Sequence, residues 1–362
     1  MTRARQNANV SAAVGRNMVI NSAMNVAQRS ASVTGIGANY GGYFTVDRWR
    51  IYAENGAGRL TMTQTADGPN GISANCIKLD CTTADASIAA GEILLLKQTF
   101  EGQNLQRIGS GVAGAKQITV SFYVKASAGF TFGCELDNHD NTRQCTKLFD
   151  TTTDWVRHEI TFPADVDDGS SPFDDDNAAS LALNFWLHAG TTYTGGTLNT
   201  AAFTNNTNAN RAAGIDSFFS NTANNFFLTG VQMEIGPVAT EFEHENISVT
   251  ENKCQRYYYK WESDAGFNFV AAGYGTSNTT SLHTFHLPVE MRAVPTFAAT
   301  GNWRICSNAC IDVDLAANAL NTKTPSIIAP EVSSGTNVVA GNAYNLGDRN
   351  DATADLAWEA EL

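Results

Sequence analysis

The sequence predicts an all-β protein: a jelly-roll β-sandwich followed by a second, smaller β domain, with an extended N-terminal arm. Three observations point there. Charged residues make up only 16% of the chain, against roughly 25% in ordinary soluble domains, and Asn, Thr, Ser and Gly supply the polarity instead. Those residues suit turns and strand surfaces. From Asp47 onward, short apolar or alternating segments recur between turn residues, with no sustained helical period. Finally, 362 residues suffice for two domains, each with its own core.

Residues 1–46 carry Arg3, Arg5, Arg16 and Arg29 and no acid; Asp47 is the first carboxylate. Two readings stand: a disordered basic tail, or an arm in which these four arginines dock on another protein. The chain's net charge is −13; beyond this stretch 19 basic residues (23 − 4) face all 36 acids, a net of −17, which argues against nucleic-acid binding, since phosphates would meet repulsion. No apolar run approaches the ~20 residues of a membrane span. Val10–Val14 is too short and broken for a signal peptide. Membrane insertion and ordinary secretion are therefore not expected.

The sandwich is expected over 47–245. Trp49–Tyr52, Gly58–Met62, Ile77–Leu79, Ile93–Leu96, Ile118–Val124, Gly129–Phe132, Trp155–Phe162, Leu181–Leu187 and Phe226–Ile235 read as its strands. Ala164–Ser180 and Ala189–Asn225 interrupt them as two long loops, of the kind that carry function or disorder. Charged Glu241–Glu251 reads as the boundary to a domain over 246–362. There Phe267–Val270, Leu282–Leu287, Pro295–Phe297, Ile327–Ile328 and Val338–Val339 continue the β pattern.

Little catalytic chemistry is legible. Gly109–Gly114 matches G-x-G-x-x-G but leads into a strand, so it reads as a glycine turn and not a dinucleotide site. His283 and His286, three apart on a strand, face opposite ways and cannot chelate one metal. The acidic loop with Asp165, Asp167, Asp168, Asp174, Asp175 and Asp176 could hold a hard cation such as calcium, or be a solvated acidic loop. No other cofactor is implied. The seven cysteines read as reduced and mostly buried. A bridge between Cys306 and Cys310, or across a hairpin between Cys134 and Cys145, is the lesser alternative.

Three stretches carry a family resemblance. Arg16-Asn17-Met18-Val19-Ile20-Asn21-Ser22-Ala23-Met24-Asn25-Val26-Ala27-Gln28-Arg29, with Asp47-Arg48-Trp49 after it, is the first. The second is Gly230-Val231-Gln232-Met233-Glu234-Ile235-Gly236 through Glu243. The third is Cys254-Gln255-Arg256-Tyr257-Tyr258, with Met291-Arg292-Ala293-Val294-Pro295-Thr296 further on. Together they resemble a pattern of bacteriophage tail-fibre and related virion proteins, with Ser22 where glycine is usual and Glu241 where proline is usual.

The resemblance implies a non-enzymatic structural protein of the virion, assembled in the host cytoplasm, with a carbohydrate-binding-like jelly roll and a homotrimeric state. Its partners would be other virion proteins, through the arm, and host surface polysaccharide. Tyr193, Asn199, Asn205 and Asn206 in the second long loop are the glycan-binding candidates, because sugars present apolar ring faces and many hydroxyls. Arg256, Tyr257 and Tyr258 are candidates for a subunit interface, with burial inside the monomer as the competing reading. A capsid-attached head fibre or decoration protein is the alternative role. A depolymerase spike would typically carry short-period β-helix repeats, which are absent.

Overall fold

The computed structural model describes residues 15–166, 172–264, 266–315, 320–333 and 337–362. The chain divides into two compact units, 1–250 with Leu362, and 251–361. Strands of the first unit are β1 (Ser32–Ile36), β2 (Gly42–Tyr43), β3 (Arg50–Glu54), β4 (Arg59–Thr65), β5 (Cys76–Thr83), β6 (Ile93–Glu101) and β7 (Ile118–Ala126). They continue with β8 (Thr131–Asn138), β9 (Arg143–Asp150), β10 (Val156–Phe162), β11 (Ala179–Ala189), β12 (Thr204–Asn205) and β13 (Asn225–Ile235), and a short helix α1 (Thr191–Thr194) follows β11.

These strands form a jelly-roll sandwich of two antiparallel sheets. One runs β1-β4-β5-β13-β7-β10 and the other β12-β9-β8-β11-β6-β3-β2. Alternation sets the register: Leu94, Leu96 and Phe100 of β6 join Leu60, Met62, Leu79, Val120 and Phe122 of the opposite sheet in one buried core. Edge-to-face rings lock the layers, with Phe122 5.0 Å from Phe185 and Phe132 5.7 Å from Phe226.

Residues 15–46 are not a separate arm, as expected from their charge, but part of this sandwich. β1 pairs with β4, and Val19, Met24, Ile36 and Val46 are core residues. The reason lies in the very motifs that carry the family resemblance. The Asn17 side chain accepts the Met233 N–H (3.0 Å) and donates to the Val231 carbonyl (3.1 Å). Asn21 donates to the carbonyls of Val26 and Asp47 (2.8 and 3.0 Å). These two side chains therefore hold three distant stretches of chain together. Arg16 lies 3.7 Å from Glu234 and Arg29 3.8 Å from Asp47, so both arginines expected to dock elsewhere are engaged within this unit. Arg3 and Arg5 lie outside the described residues.

A helix α2 (Ile247–Gln255) lies where the sequence suggested only a charged boundary. In the second unit, β14 (Tyr258–Glu262), β15 (Phe269–Gly275), β16 (Thr280–His286), β17 (Thr296–Ala299), β18 (Trp303–Cys306) and β19 (Cys310–Val313) precede β20 (Leu320–Lys323), β21 (Ile327–Ser333), β22 (Ala343–Asp348) and β23 (Asp355–Glu359). They make a three-stranded sheet β14-β23-β17 and a seven-stranded sheet β19-β18-β22-β15-β16-β21-β20. Trp303, Ile305, Leu346, Leu356 and Trp358 form their core. Cys306 and Cys310 are disulfide-bonded, which corrects the reading of all seven cysteines as reduced; they sit directly opposite each other across the β18–β19 hairpin. Cys134 and Cys145 are buried free thiols.

Candidate binding face

The outer face of the seven-stranded sheet of the first unit is built of cross-strand rows. Register places Arg50, Lys97, Asn184, Glu135 and Thr146 in one row across β3, β6, β11, β8 and β9. The row beside it is Tyr52, Leu95, Trp186, Gly133 and Leu148. On the other side lie Thr99, Ala182, Asp137, Gln144 and Thr204. A polar stripe thus runs beside an aromatic one.

The loop after β11 folds back over half of this face. Its Arg211 donates Nε and Nη2 to both oxygens of Glu135 (2.8 and 2.7 Å) and Nη2 to Asp137 (2.6 Å). The guanidinium also stands 5.2 Å over the Trp186 ring. Glu135, fully buried, further accepts from Asn184 Nδ2 (2.8 Å) and Trp186 Nε1 (2.9 Å). Burial works against the Arg211 charge, but these two carboxylates outweigh it and hold the group firmly protonated. A small apolar cluster of Ile93, Leu95, Trp186 and Ala212 seals the contact, with Tyr52 and Tyr193 packed against it.

Farther along, the loop is tied down by His188. Its Nδ1 meets Ser217 Oγ at 2.7 Å and its Nε2 meets Glu92 at 2.9 Å. His188 is fully buried, with the Phe219 ring 5.2 Å away.

Over β3 and β6 the face stays half-exposed, at Arg50, Tyr52 and Lys97. The Tyr52 hydroxyl donates to Glu54, and burial together with that carboxylate pushes its pKa up to about 12. Burial, and then the Arg50 charge, depress the Lys97 ammonium below its usual range. His139, 3.7 Å from Asp137, is likewise lowered by burial.

The four residues expected to meet glycans all lie on this covering loop and touch the sheet or its edge. Tyr193 on α1 packs tilted against Trp186, with ring centroids 5.5 Å apart. The Asn199 carbonyl accepts the Thr146 N–H (3.1 Å), and Asn206 Nδ2 reaches Asp137 (3.4 Å). Asn205 is exposed on the edge strand opposite Arg143.

The sequence reading missed Arg50, Tyr52, Lys97, Glu135, Asp137, Trp186 and Arg211. Arg50-Ile51-Tyr52-Ala53-Glu54 alternates and marks its polar side, which was a usable signal. The pairing of Glu135 with a residue 76 positions away left none.

The acidic loop is not a cation site at its first residue. Asp165 is buried, paired with Arg143 Nε (2.8 Å), and accepts from Asn138 Nδ2 (2.9 Å) and Ser110 Oγ (3.1 Å), so its oxygens are taken. Asp167 and Asp168 lie outside the described residues, and Asp174, Asp175 and Asp176 are exposed. Among the described residues no group of three or more His, Cys, Asp or Glu is disposed to hold a metal. Tyr257 and Tyr258 are buried and present no aromatic face to a neighbouring subunit, while Arg256 is half-buried.

No protein-family model matches the chain, and no curated protein sequence does. Among solved structures, the chain is similar to the family 30 carbohydrate-binding module of a Clostridium thermocellum cellulosomal cellulase. The identity is 11%, over 59% of this chain and 99% of the module, with TM-score 0.29. A family 11 carbohydrate-binding module from Clostridium thermocellum, in complex with a beta-1,3-1,4-mixed-linked tetrasaccharide, matches at 12% identity over 53% of this chain and 91% of that one, with TM-score 0.27. The enzymatically active domain of tailspike protein 4 from bacteriophage CBA120 matches at 11% identity over 61% of this chain and 21% of that one, with TM-score 0.31.

Proposed function

We propose that this chain is a non-enzymatic structural component of a phage virion, a tail fibre or similar appendage, that binds host surface glycans. The binding surface is the half-open outer face over β3 and β6. The observation that carries the glycan reading is the pairing of half-exposed aromatic rings (Tyr52, with Tyr193 nearby) with half-exposed polar side chains (Arg50 and Lys97). Sugars need both, an apolar platform for the ring and donors and acceptors for the hydroxyls. The virion assignment is supported by the motifs at Arg16–Arg29, Asp47–Trp49 and Gly230–Gly236. Attachment to the particle falls to Arg3 and Arg5, and the assembly is a homotrimer.

Two measurements test this. The purified full chain, applied to an array of neutral and acidic oligosaccharides, retains at least one class, and Tyr52→Ala weakens that retention about tenfold or more. Retention of no glycan overturns the binding role. Antibody labelling of intact particles locates the chain on the tail; labelling over the shell makes it a head fibre or decoration protein, and absence from the particle overturns the virion role.

A further inference from the structure

Arg50 and Lys97 are direct cross-strand neighbours on β3 and β6. Like charges in that position repel and cost stability. Neither makes an ion pair or a side-chain hydrogen bond to another described residue; Arg50 has only the rings of Tyr43 and Tyr52, at 6.0 and 5.8 Å. Its Nε is buried and has no partner. The nearby carboxylates answer them only in part: Asp137 and Glu135 attract the Lys97 ammonium from a distance without pairing with it. Glu135 and Asp137 are both held by Arg211 at 2.6–2.8 Å, and Glu54 lies four residues along β3, roughly 13 Å away by strand rise. In a chain of net charge −13, two adjacent cations with no ion-pair partner among the described residues stand out.

The polar row continues to Asn184, opposite Lys97 on β11. Asn184 is 1% exposed, and its Oδ1 has no donor. That acceptor is sealed beneath the face, so the two half-exposed cations are what asks for a ligand, one that brings an anion. On the other side, Tyr52 offers a ring face for stacking.

We infer that this half of the face binds an anionic sugar residue, its carboxylate or sulfate seated between Arg50 and Lys97. This rests on the glycan-binding reading above and narrows it to acidic polysaccharide. Guanidinium and ammonium together suit an oxyanion, and such charge-assisted hydrogen bonds are among the stronger ones available. Arg50 and Lys97 then serve as specificity determinants, while the aromatic row supplies affinity common to many sugars.

The full-length chain and its Arg50→Gln and Lys97→Gln variants are titrated calorimetrically against four probes. These are oligogalacturonate, its methyl-esterified form, a heparin-derived sulfated oligosaccharide and a neutral galacto-oligosaccharide. The expected result is binding of one or both acidic probes and loss of the interaction on methyl esterification. Each variant weakens the acidic probe about tenfold or more, with a melting temperature equal to or above that of the parent because the repulsion is relieved. Carboxylate-only and sulfate-only binding each support the inference and identify the oxyanion. Binding of the neutral or esterified probe as tightly as the acidic ones, with both variants unaffected, overturns the inference and leaves glycan binding standing. Binding of none of the four overturns both.

Discussion

Arg211 and Glu135 meet as a two-pronged pair, Nε on one carboxylate oxygen and Nη2 on the other at 2.8 and 2.7 Å, and so clamp a long loop to the centre of the sheet. Replacing Arg211 with Met leaves a fully buried carboxylate without its cation, which costs about 3–5 kcal/mol. For a unit of this size that lowers the melting temperature by roughly 10 °C. Adding Glu135→Gln to Arg211→Met recovers part of the loss, because the neutral amide oxygen still accepts from Trp186 Nε1. Thermal denaturation checks both variants, and hydrogen exchange over 190–216 rises in the single variant. Unchanged exchange there shows that the clamp does not hold the loop.

In the second unit, His283 is fully buried and its Nε2 meets Ser281 Oγ at 2.9 Å. Burial pulls its pKa from 6.5 down to about 4, so the folded chain keeps it neutral where the unfolded chain takes up a proton. Its contribution to stability is therefore complete above about pH 6.5 and is lost as pH falls toward 4, roughly 3 kcal/mol in all. Denaturant unfolding at pH 7.5, 6 and 4.5, with His283→Gln compared to the parent, reads this out. The variant loses less stability across that window, and parallel curves refute the assignment.

Five cysteines lie outside the disulfide and all are buried. Burial raises the thiols of Cys76 and Cys145 to about 12 and that of Cys81 to about 11, which leaves almost no thiolate at neutral pH. A chromogenic thiol reagent should find no fast-reacting group in the folded protein, five thiols in denaturant, and seven after reduction. Seven without reduction shows that Cys306 and Cys310 are not bonded.

Ser217, His188 and Glu92 lie in line in a manner that invites comparison with a hydrolytic relay. The imidazole is sealed beneath Phe219, and its bonds join the loop to the start of β6, which is a structural role. Ser217 is expected not to label with a fluorophosphonate probe, while His188→Ala lowers the melting temperature. Stoichiometric labelling at Ser217 contradicts the non-enzymatic reading.

The strands with a clear apolar face were legible because alternation alone specifies them. Ile118–Val124 and Trp155–Phe162 are the best cases and now lie side by side as β7 and β10. β1 stayed hidden: Ser-Val-Thr-Gly-Ile is five residues long and carries a glycine. α2 was missed because Ile-Ser-Val-Thr-Glu-Asn-Lys-Cys-Gln has little apolar periodicity. The length of the covering loop is legible in the sequence, as is the place of Tyr193 and Asn206 within it. Its docking partners are not legible, since β11 reads as a strand buried on both faces, and only register shows which of its residues meet the loop.

The carboxylate of Glu243 has a mechanical consequence. It accepts the backbone N–H groups of Gly15, Arg16 and Asn17 at 2.6, 3.1 and 2.9 Å, so residue 15 and the outgoing segment of the sandwich sit at one corner. Tension drawn between those two points falls first on this junction and on the bond from Arg16 Nη2 to the Glu241 carbonyl beside it (2.7 Å). A pull at either point alone is shared by both through the same carboxylate, which makes Glu243 a strain relief between the sandwich and whatever tugs on it.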